Sequence, residues 1–184
     1  MPTKILFGLS EKEIQKAIKE LNKYKSDLNR KCEVFCERLT DLGRIVAEAK
    51  VAEAPLGKYI TVSTDIHPEQ MGCKAVLFAV GQEKTSQWQT QDGVKKATIQ
   101  TLLMVEFGAG VSLNPVQNPK AGELGFGAGT FPGQSHAMEG SWSYMDMDGN
   151  WHSSKGIKAT MPMYNASIEM ILNIRKIAKE VFRS

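Results

Sequence analysis

At 184 residues and 20.3 kDa, with 42% hydrophobic and 23% charged residues, the chain suits one domain with a real core and is too apolar for wholesale disorder. A formal net charge of +3 neither demands nor excludes a polyanionic partner. Three cysteines, Cys32, Cys36 and Cys73, form an odd set that argues against a disulfide framework and for a reducing compartment.

The N-terminal apolar run Ile5-Leu6-Phe7 is too short for the core of a signal peptide. No stretch approaches the roughly 18–20 apolar residues that span a bilayer. The expectation is a protein made and folded in a cytoplasm, with no membrane partner.

In chain order, residues 3–8 read as a short strand. Ser10 with Glu13 three residues later is a capping box that starts a helix. Ile14, Ile18, Leu21, Leu28, Cys32, Phe35, Leu39, Leu42, Val46 and Ala49 then recur at alternating spacings of four and three, which predicts a helix over about 10–54. A helix of about 43 residues is about 65 Å long, against a radius of gyration of roughly 16 Å for a domain of this size. Such a helix bends over a sheet, with Gly43 as its weak point, or reaches a second subunit.

Pro55 and Gly57 end it. Lys58–Ile66 and Cys73–Val80 read as strands, the second apolar enough to be central, with the turn at His67–Gln70. Gly81–Lys96 is polar and reads as a loop or an extended edge. Leu102–Phe107 reads as another strand. Residues 108–140 hold eight of the 16 glycines, at 108, 110, 122, 125, 127, 129, 133 and 140, and make a long Gly/Pro-rich loop. Trp142–Asp146 and Asn150–Ser153 form a hairpin about Asp148-Gly149. Pro162 opens a last helix over about 162–182, with Ala166, Met170, Ile171, Ile174, Ile177, Ala178 and Val181 as its apolar face. The fold class is therefore α+β in a single domain over 1–184. Its strands and loops lie between about 58 and 153, in a small, mostly antiparallel sheet packed by the two helices.

The residues assemble no convincing reaction centre. Cys32 and Cys36 share a helical face, but no second ligand pair of zinc spacing appears. Gly108-Ala109-Gly110 and Gly125-Phe126-Gly127-Ala128-Gly129 lack the remaining elements of the nucleotide-binding motifs. Gly133-Gln134-Ser135-His136-Ala137 lacks the closing glycine of a nucleophile elbow. Asp146-Met147-Asp148-Gly149 lacks the closing glutamate of a calcium loop. The aromatics Trp88, Phe126, Phe131, Trp142, Tyr144 and Trp151 have no interleaved arginines to suggest base stacking, and suit an interface better. No catalytic, cofactor-binding or metal site is expected.

Val105-Glu106-Phe107-Gly108-Ala109-Gly110, Ala121-Gly122-Glu123-Leu124-Gly125, the Trp142…Tyr144…Asp148-Gly149…Trp151 hairpin and the helix start carrying Lys155-Gly156, Ala159, Met163 and Ala166 follow one another in a telling order. In that succession the chain resembles the head–tail joining or tail-completion (minor tail component) proteins of long-tailed bacteriophages. The match covers about 80 C-terminal residues. It departs at Met161-Pro162-Met163, where relatives commonly carry Arg-Pro-Phe, and residues 54–100 do not align.

The resemblance implies a non-enzymatic virion protein, assembled in the host cytoplasm, that forms a ring of six or twelve copies at the neck or the head-proximal end of the tail. Its partners would be itself, connector or neck proteins and the tail-tube protein, with room for non-specific DNA proximity in the lumen. A tail-like bacteriocin particle would need the same part. Trp142, Tyr144 and Trp151 are the expected interface anchors, since buried aromatics dominate such contacts. The rival readings are a metal-dependent hydrolase using Glu106, His136 and His152, and a helical interaction adaptor pairing through the Ser10–Ala54 seam.

Overall fold

The computed structural model describes residues 8, 10–110, 112–114, 118–125, 139–145 and 148–183, without the side chains of 86, 88–90, 97, 99, 144 and 145. The expected strand at 3–8 falls outside these residues, apart from Gly8.

Helix α1 runs Glu11–Ala52 without interruption. Ser10 caps it: its Oγ accepts the Glu13 N–H at 3.4 Å and donates to Glu13 Oε2 at 2.6 Å. Glu11 and Glu13 in the first turn suit the helix dipole, and Arg44 bridges Asp41 and Glu48 along the helix surface. At Gly57, which follows the helix, a side chain would collide with the Val51 carbonyl.

The buried face of α1 is not the predicted seam but lies beside it. Ala17, Thr40, Gly43, Ala47 and Val51 are buried, while Leu39, Leu42 and Val46 are half-buried and Ala49 is exposed. Small residues win that face because two elements press on it. A Cβ at Gly43 would collide with Met170 Sδ and stand 2.9 Å from Leu77 Cδ2. Gly43 therefore marks a close approach rather than the weak point expected of it.

Strands β1 (Ile60–Glu69) and β2 (Gly72–Gly81) pair antiparallel from Ile60↔Gly81 to Glu69↔Gly72. The turn is Gln70-Met71, so His67, Pro68 and Glu69 belong to the strand rather than to the turn assigned them. β2 is not central: the ribbon has two strands only, and Val76, Phe78 and Val80 face outward. Its inner face lies on α1, where Cys36 Sγ donates to the Cys73 carbonyl at 3.5 Å.

Of the two readings of residues 81–96, loop or extended edge, the extended one holds. β3 (Glu83–Thr90) and β4 (Gly93–Gln100) form a second antiparallel ribbon that turns before Gly93, at φ +116°. The expected strand at 102–107 is helix α2, Thr101–Phe107, closed at Gly108 with φ +77°. Its apolar run Leu102–Val105, followed by Glu106 and Phe107, fits a buried strand or a buried helical turn equally well. Burial of Thr101, Met104, Val105, Glu106 and Phe107 accounts for its lack of a polar face.

The third ribbon is the expected hairpin, β5 (Trp142–Met145) with β6 (Trp151–Ser154), and Gly149 takes φ +84° between them. Helix α3 spans Pro162–Arg183 and packs antiparallel on α1, with Met170 against Gly43 and the Phe182 ring 5.9 Å from Phe35. Long helix, three two-stranded antiparallel ribbons and C-terminal helix together make an α+β fold.

Candidate assembly interface

Glu106 is the organising residue of the C-terminal half. Its carboxylate is buried at the first turn of α3, where Oε2 accepts the Met163 N–H at 2.9 Å and Oε1 the Tyr164 N–H at 3.0 Å. Asn118 Nδ2 donates to Oε1 at 2.9 Å. These N–H groups are among the four that a helix start leaves unpaired, and a negative charge there suits the helix dipole. Burial pushes the Glu106 carboxyl above its ordinary value, opposed by the three donors.

A second buried amide completes the knot. Asn114 Nδ2 donates to the Gly110 and Ile157 carbonyls, each at 2.9 Å, and its Oδ1 accepts the Ala159 N–H at 2.7 Å. Ala109 and Ile157 exchange two backbone hydrogen bonds of 2.8 Å. A side chain on Gly108 would collide with Asn114, and one on Gly156 with the Ala109 carbonyl. The Glu-Phe-Gly-Ala-Gly motif thus ties the loop start to the α3 start. Thr160 and Met161 N–H both reach the Val105 carbonyl, and Met161 is held at φ +53°, a strained value for a non-glycine residue.

The expected interface aromatics lie on the β5–β6 hairpin. Trp151 is 72% exposed and Trp142 half-buried. Tyr144 stands opposite His152 in the register, and its side chain lies outside the described residues. Of the alternative hydrolytic set, Glu106 has both oxygens taken by the α3 cap and Asn118, His152 sits on the exposed β6, and His136 lies outside the described residues. Among the described residues no group of three or more His, Cys, Asp or Glu side chains is placed to hold a metal. Cys36 is a poor nucleophile: burial first, then its hydrogen bond to Cys73, pushes the thiol up to about 11. No described helix is long and apolar enough to cross a membrane.

Sequence reasoning missed Asn114 and Asn118, although each precedes a proline in an Asn-Pro turn signal. It also missed the outward row of α3. Ile168, Ile171 and Leu172 are 40%, 62% and 70% exposed, opposite buried Ala166, Ile177 and Val181. Ile171 and Ile174 therefore leave the face assigned to them.

No family model matches this chain, and neither a curated protein nor a solved structure matches it.

Proposed function

We propose that this chain is a structural virion protein of the phage neck or head-proximal tail end, which joins or completes the tail as a homo-oligomeric ring. The supporting observation is the pair of unlike apolar surfaces left in water. One is the start of α1, with Ile14, Ile18, Leu21, Tyr24 and Leu28 between 38% and 56% exposed; the other is the outer row of α3. A ring closed by heterologous contacts needs two different patches on each subunit.

The resemblance of the Val105–Ala166 motifs supplies the particle. The polar knot around Glu106 fixes the start of α3, and the β5–β6 hairpin is the proposed contact with connector and tail-tube proteins.

The test is the solution mass of the full chain by light scattering, with negative-stain imaging. Closed species of six or twelve subunits are expected, alone or on adding connector and tail-tube proteins. A chain that stays monomeric in both conditions overturns the proposal.

A further inference from the structure

One flank of the α1 row is acidic, with Lys25 standing within the row and Lys12, Lys16, Lys19 and Lys23 on the far side of the helix, whereas the α3 row runs into cations. α3 meets α1 near its own end, where Phe182 packs on Phe35, and the β1–β2 turn reaches Asn29, which bonds the Gln70 carbonyl and the Gly72 N–H. Before that point the α1 overhang keeps Ile14, Ile18, Leu21, Tyr24 and Leu28 exposed, with Ala17 buried among them. Glu13, Glu20 and Asp27, spaced by seven, run along one side of that overhang; all are exposed, and none forms an ion pair among the described residues.

On α3, Ile168, Ile171 and Leu172 continue at helical spacing into Arg175 and Lys179, with Lys176 beside them. These three cations are exposed and unpaired among the described residues. An exposed apolar row on the side of a helix opposite its packed face marks a contact surface for a partner. The chain itself covers one side of α3, with α1.

We infer that the α1 overhang of one copy docks along the outer face of α3 in a second copy, its acidic row against Arg175, Lys176 and Lys179. Pairing overhang with overhang would leave the α3 row in water and its cations unmatched. Pairing overhang with α3 covers both rows, and each subunit then offers one donor face and one acceptor face. The docking deepens the ring proposal, on which its closure rests, by naming the two faces that meet.

The test uses two full-length variants. Ile18→Asp with Leu21→Asp spoils the α1 face, and Ile171→Asp with Leu172→Asp spoils the α3 face. All four side chains are between 46% and 70% exposed, so the folded circular-dichroism spectrum is retained. Each variant alone should be monomeric, with association weakened at least about tenfold. Mixed, they should form a one-to-one dimer and stop there, because one intact pair of faces remains.

Dimers of the α3 variant alone, or no heterodimer on mixing, overturn the docking. Rings that persist in both variants overturn it too, and leave the ring proposal standing. A heterodimer on mixing, with wild-type chains that grow into open fibres, keeps the docking and sinks the ring. As a second check, Glu20→Lys with Asp27→Lys should weaken assembly. Mixing that variant with Arg175→Glu and Lys179→Glu should restore pairing, and failure to restore it overturns the charge matching.

Discussion

Glu106 caps α3 from a distance of 57 residues along the chain, its Oε2 taking the Met163 N–H at 2.9 Å. A cap usually comes from the residue just before the helix; here Met161 holds that place and offers no oxygen to accept the helix's first N–H groups. Glu106→Ala leaves the Met163, Tyr164 and Asn118 donors without their acceptor. A buried donor left unpaired costs about 1–3 kcal/mol, so the variant is expected to lose at least that much in denaturant unfolding. Glu106→Gln, which keeps one acceptor oxygen, is expected to lose less.

The same carboxyl sets a pH dependence. Burial raises its folded-state value above the ordinary 4.5 of the unfolded chain, so the folded protein binds this proton more tightly. Its contribution to stability is therefore full below about pH 4.5 and is lost as pH rises through the folded value. The stability difference between wild type and Glu106→Gln should shrink on going up through that window. A difference that grows with pH would show that the three donors outweigh burial.

The long regular elements were legible because periodicity and caps are local. Ser10 with Glu13 announces α1, Pro162 announces α3, and Asp148-Gly149 places the hairpin turn. What failed was decided by neighbours far along the chain. Leu102–Phe107 carries an apolar run that suits strand or helix, and burial on nearly every side of α2 removes the polar face that would have told them apart. The β3–β4 ribbon is mostly polar, which hid its pairing about the turn before Gly93. The buried face of α1 moved off the heptad seam because Met170 and Leu77 crowd Gly43. Glu106 was noticed for its chemistry, whereas its partners Met163 and Tyr164 offer only backbone N–H groups, which no side-chain pattern reveals.

Gly43 gives a direct probe of that crowding. A larger side chain gains helix propensity of up to about 1 kcal/mol, but must displace Met170 and Leu77, and overpacking costs about 1–3 kcal/mol. Gly43→Val is expected to be net destabilising. Adding Met170→Ala should recover part of the loss, so a double-mutant cycle in chemical denaturation should show coupling between the two sites.

Met161 stores backbone strain at the point where the chain turns into α3. Its φ of +53° is one that asparagine accepts and a β-branched residue resists. Met161→Asn should therefore be more stable than Met161→Val by about 1 kcal/mol or more. The two differ little in size, so equal midpoints in urea would mean that the position relaxes out of the left-handed region.

Under the proposed ring, Trp151 should separate folding from assembly. At 72% exposure it contributes little to the folded chain, so Trp151→Ser should leave unfolding stability within about 0.5 kcal/mol. An exposed aromatic that anchors an interface behaves differently when a partner covers it, and its loss costs more than about 1 kcal/mol of association. Assembly of Trp151→Ser, followed by sedimentation velocity, should therefore weaken several-fold while its melting curve stays in place. Trp142 is half-buried beside its register partner Ser154, so Trp142→Ser should lower both stability and assembly. Unchanged assembly in Trp151→Ser would remove the hairpin from the interface and leave the helical faces to carry it.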